Sequence, residues 1–119
     1  MTKGAYHFIR EAWKKPDMQV LRKRMIEWRQ GETVVKVDKP LRLDRARNLG
    51  YKAKPGFVVA RVRIRRGGRK RPTRKAGRRS KRQTIRKTLK MNYQWVAEQR
   101  VARKFPGCEV LNSYWIAKD

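Results

Sequence analysis

The sequence predicts an α+β fold: an N-terminal helical hairpin, a small sheet with packed helices, and a long basic extension. Three patterns predict it. Apolar residues recur at helical spacing in the first thirty residues and again near 90–104. Residues 57–65 alternate with period two, as a half-buried strand does. Between Asp44 and Glu98 lie 53 residues without a carboxylate, carrying 20 Lys and Arg, and their most basic part, 66–88, cannot belong to a core.

From Gly4 to Lys15, Ala5, Phe8, Ile9, Ala12 and Trp13 fall on one helical face, and Pro16 ends the segment. Asp17 is placed to cap a second helix that runs to about Gln30, with Leu21, Met25 and Trp28 as its stripe and Gly31 as its breaker. The short link and facing stripes predict that the two helices pack together, with Trp13 and Trp28 serving packing rather than base stacking. Thr33–Val37 is an expected short strand. Asp44 is expected to cap one or two turns over Arg45–Leu49 that stop at Gly50. Pro55-Gly56 makes a turn before the strand Phe57–Arg65. In that strand Val58, Ala60, Val62 and Ile64 are expected inward, with Arg61, Arg63 and Arg65 outward about 6.5–7 Å apart, close to the spacing of successive phosphates along one nucleic-acid strand.

Residues 66–88, RGGRKRPTRKAGRRSKRQTIRKT, contain only Ala76 and Ile85 as apolar residues besides one proline. Alone, such a segment is expected to be disordered, because it cannot bury enough surface to offset the entropy of ordering. Fully extended it would reach on the order of 75 Å. A helix follows over about Lys90–Lys104, ended by Pro106-Gly107, and then an expected strand over Cys108–Ile116. The resulting division is 1–31 for the hairpin, 32–65 with 89–119 for the α+β core, and 66–88 for the basic arm.

Length and composition bound the function. The chain has 119 residues, a formal net charge of +26 and a pI near 11.6. It is long enough for one domain, and it carries a charge that calls for a polyanionic partner. No uninterrupted apolar run exceeds four residues, against roughly 20 needed to cross a bilayer. No leader is expected, since Glu11 falls early and no apolar stretch precedes a small-residue cleavage site. The lone Cys108 excludes an internal disulfide framework. The reading is a soluble intracellular protein with no membrane partner.

Catalytic chemistry is hard to assemble. His7 is the one histidine, too little with Cys108 for a zinc site, and the nine acids form no paired motif. Gly67-Gly68 lacks the spacing of a phosphate-cradling loop, so the pair more simply allows a sharp turn or close approach to RNA. No enzyme activity, cofactor, metal or small-molecule substrate is expected.

Residues 45–72, RARNLGYKAKPGFVVARVRIRRGGRKRP, closely resemble the signature of the archaeal and eukaryotic-type large-subunit ribosomal protein fifteen, a family distinct from the bacterial protein of the same number. The opening GAYHFIREAW and the motif LNSYW at Leu111–Trp115 agree, and GRRSKR within the basic run looks archaeal. The resemblance implies a non-enzymatic α+β protein of the large ribosomal subunit, in the cytoplasm. Its implied partners are large-subunit ribosomal RNA and neighbouring ribosomal proteins. The family's RNA-facing motif maps onto Lys52, Lys54, Arg61, Arg63, Arg65, Arg66, Arg69, Lys70 and Arg71. Arg74, Lys75, Arg78, Arg79, Lys81 and Arg82 match in character more than identity. Family members continue past LNSYW through another strand and a Gly/Arg/Lys-rich tail, whereas this sequence stops at Asp119. The expected strand at 110–116 would then carry an unpaired edge.

The residues by themselves support nucleic-acid binding through phosphates. An architectural DNA-binding protein would share the charge and the salt dependence, but no helix-turn-helix, zinc finger or basic zipper is visible. An RNA-processing enzyme would need a catalytic cluster the sequence lacks.

Overall fold

A computed structural model describes residues 2–70, Ala76 and 86–119. Their order is α1 (Ala5–Lys14), α2 (Met18–Gln30), β1 (Val34–Val37), α3 (Leu43–Asn48), β2 (Val59–Val62), β3 (Arg69–Lys70), β4 (Arg86–Lys87) and α4 (Tyr93–Lys104). The architecture is mixed α and β, as the periodicities predict.

Each boundary has a local cause. α1 starts at Gly4 without a side-chain cap and stops before Pro16. Asp17 caps α2 by accepting from Gln19 N at 2.9 Å, and Asn92 caps α4 by accepting from Trp95 N at 2.8 Å. α3 ends where Gly50 takes φ +100°, with Tyr51 N bonding back to Ala46 O at 3.0 Å and Gly50 N to Arg47 O at 3.1 Å. This is a glycine-closed C-terminus.

β1 and β2 pair antiparallel, Val34 opposite Val62 and Val37 opposite Val59. Arg63 N adds one further bond to Thr33 O at 2.9 Å. α4 lies against both strands, and α1 lies against α3. The core is small. Val34 and Ala46, 8% and 5% exposed, are its buried apolar residues among those described, and Asp44, 4% exposed, is buried as well. The radius of gyration is 19.0 Å, where a compact chain of this length would have about 13–14 Å.

Five expectations need correction. α1 and α2 are consecutive, but α1 makes its helix contacts with α3, so the two do not form a packed hairpin. Cations replace the facing stripe: the Arg42 guanidinium sits 5.3 Å over Trp13 and that of Arg47 5.7 Å over Tyr6, while Phe8 is 61% exposed. Asp44 is not a cap but lies inside the first turn of α3, behind Arg42. β2 is shorter than 57–65, and Val58 is exposed, because the partner strand offers pairing only from Thr33 to Val37.

Residues 108–116 form no strand. Side-chain bonds hold them instead, Ser113 Oγ donating to Glu98 at 2.5 Å and accepting from Gln94 at 2.7 Å, so this tail runs back along α4. Finally, the arm is not featureless at its ends, since Arg69 pairs with Lys87 and Lys70 with Arg86. The rest of the segment expected to be disordered lies outside the described residues.

Candidate nucleic-acid interface

The basic motif begins in the loop between α3 and β2. Lys52 and Lys54 are exposed there, on a turn closed by Phe57 N donating to Lys54 O at 3.3 Å and by Gly56 at φ +97°. Lys54 Nζ stands 5.7 Å from the Phe57 ring, which meets Tyr51 edge-on at 6.4 Å. The loop thus presents two ammonium groups on a small aromatic base.

The three strand arginines do different things. Arg61 places its guanidinium 5.1 Å over the Trp28 ring of α2. Arg63 donates through Nη1 to Trp28 O at 3.2 Å and to Arg29 O. Those carbonyls end α2, where the helix dipole favours a cation. Arg65 is exposed and makes no such contact among the described residues. Arg61 is half-buried rather than outward, and period two gave no sign that it and Arg63 fasten β2 to the end of α2.

Past β2 the chain turns at Gly67, φ +98°. The Tyr93 hydroxyl at the start of α4 holds this turn, accepting from Gly67 N at 3.0 Å and donating to Gly67 O at 3.4 Å. Arg66, Arg69 and Lys87 stand exposed around it. The pairing of β3 with β4 brings both ends of the arm to one place, so the arm leaves and re-enters the domain at the same corner. Lys70 lies in β3. Arg71, Arg74, Lys75, Arg78, Arg79, Lys81 and Arg82 lie outside the described residues.

Sequence reasoning missed a second group of cations. Arg10 of α1 and Arg42 and Arg45 at the start of α3 line one open cleft with the C-terminal tail. The three-residue spacing of Arg42 and Arg45 was the available signal, but nothing local says that α1 and the tail close around them. The tail is placed by Tyr114, whose hydroxyl accepts from Arg42 N at 3.4 Å. Burial pushes the Tyr114 phenol up from its ordinary range, against the opposing pull of the hydrogen bond and charge of Arg42.

Among the described residues no three His, Cys, Asp or Glu side chains are grouped as metal ligands would be, and no helix is long and apolar enough to cross a membrane. The exposed guanidinium and ammonium groups are of the chemistry that pairs with anions.

The model of the family described as Ribosomal L15 matches residues 4–119. The large ribosomal subunit protein eL15 of Methanocella arvoryzae is 51% identical over 124 residues, and that of Methanospirillum hungatei 49%. Both alignments cover 100% of this chain and 63% of the relative, so the chain spans less than two thirds of the length of these relatives.

Proposed function

The chain belongs to the Ribosomal L15 family, and from that premise we propose that it is a structural constituent of the large ribosomal subunit that binds and stabilises ribosomal RNA. The observation that carries this reading is the acid-free stretch of 53 residues with 20 cations, within which the two described ends of the basic arm pair with each other. Arg65, Arg66 and Arg69 are the exposed cations past the end of β2, and Lys52 and Lys54 are exposed in the loop before its start; the basic residues from Lys70 to Arg82 are proposed as further phosphate contacts. Arg61 and Arg63 serve twice, fastening β2 to α2 and offering their remaining N–H groups to phosphate. Affinity comes mainly from neutralising phosphates and releasing counterions. Arginine suits this work, since its planar fork grips phosphate oxygens and stacks on exposed bases.

The role is non-enzymatic and cytoplasmic, with ribosomal RNA and neighbouring ribosomal proteins as partners. The relatives' names, large ribosomal subunit proteins, support this reading. Sucrose-gradient fractionation of cell extract tests it: the protein should travel with large subunits at low salt and leave them at high salt. A competition assay separates the architectural alternative, because duplex DNA should displace folded ribosomal RNA poorly. Sedimentation away from subunits at low salt would overturn the proposal.

A further inference from the structure

On the side formed by α1, α3 and the C-terminal tail, an open cleft of about 640 Å³ is lined by Arg10, Arg42, Arg45, Asp44, Tyr114 and Trp115, with neutral amides beside them. Its volume lies in the range of small-ligand sites. One carboxylate faces three guanidiniums, so the lining is net cationic. Trp115 is 67% exposed at its edge, and a bare indole beside arginines is the pairing that receives a nucleobase and its phosphate together.

We propose that this cleft receives one unpaired nucleotide of RNA, its base stacked on Trp115 and its phosphate held by Arg10 and Arg45. The inference rests on the proposed RNA-binding role but concerns a separate surface from the basic arm. The two surfaces divide the work. The arm follows any phosphate track, whereas the cleft requires a base that has left its helix, which supplies selectivity for irregular RNA.

Two RNA hairpins test it, identical except that one carries a single bulged nucleotide, with binding followed by anisotropy at fixed salt. The wild-type chain should bind the bulged hairpin about tenfold more tightly, the usual scale of one aromatic stack. Trp115→Ala should bind both hairpins equally, with its affinity for the fully paired hairpin unchanged. Arg45→Gln, also at an exposed position, should reduce the preference by roughly half on a logarithmic scale, and it serves as the second variant if the first misfolds. Equal binding of both hairpins by the wild type, or a preference retained in Trp115→Ala and Arg45→Gln, overturns the cleft assignment while leaving the arm's role standing. Failure to bind either hairpin overturns both.

Discussion

Arg63 and Arg65 stand two residues apart in one run of alternating side chains, yet only Arg63 is tied to α2. Arg63→Ala should therefore lower stability by about 1 kcal/mol, the net scale of one hydrogen-bonding group at a helix end, whereas Arg65→Ala should leave stability unchanged and reduce the salt slope of RNA binding by about one. Urea midpoints and salt titrations of the two variants check the contrast. A second residue-scale contact joins Lys104 Nζ to Glu32 at 2.8 Å and to Val34 O at 2.6 Å, tying the end of α4 to the start of β1. The hydrogen bond and charge of Lys104 hold the Glu32 carboxyl below its ordinary range. A depressed folded pKa stabilises above the unfolded value and loses that contribution as pH falls through the folded one. Glu32→Gln should thus change the melting temperature at pH 7, and the difference between wild type and variant should shrink as the pH falls below the ordinary carboxylate range.

At the scale of elements, caps and breakers were legible and neighbours were not. Asp17, Gly50 and Pro106 act within a few residues of themselves, so their effect can be read from spacing. The partner of α1 cannot, because packing on α3 is decided by Arg42 over Trp13 and Arg47 over Tyr6, contacts made across some thirty to forty residues. The tail was misread for a related reason. Val110 and Tyr114, or alternatively Leu111 and Trp115, could form the inward face of a strand, but Ser113 meets Gln94 and Glu98 through side chains and the segment joins no ladder. The turn at Gly67 carries the element-scale prediction. A Cβ there would meet nothing within 4 Å, yet φ is +98°, so the cost of Gly67→Ala is backbone strain alone, about 1 kcal/mol. Tyr93→Phe should loosen the same turn without strain by removing the hydroxyl from Gly67. Amide exchange at Gly67 should rise in both variants while exchange in β1 stays slow.

The whole molecule is held together by little apolar burial. Among the described residues Val34 and Ala46 are the buried apolar side chains, while large apolar ones such as Phe8, Leu111 and Trp115 stand exposed. The arm residues named from the sequence remain proposals, and their contribution can be read from salt dependence. If about 8 of the basic residues in 61–90 meet phosphates, log K should fall against log salt with a slope of roughly −6 to −7. Substituting Arg69, Lys70 and Arg71 with Ala should reduce that slope by about 2–3 while the Val34–Val62 pairing stays intact, because β1 and β2 make no use of β3. Val62→Asp should act oppositely. It places a carboxylate opposite buried Val34, in a core too small to reorganise around it, and unfolds the sheet before any RNA is added. Titration at four or five salt concentrations, with circular dichroism of each free variant, separates the two. A slope unchanged by the triple substitution would mean that the phosphates are met elsewhere, and the cations around the α1–α3 cleft would then carry the binding.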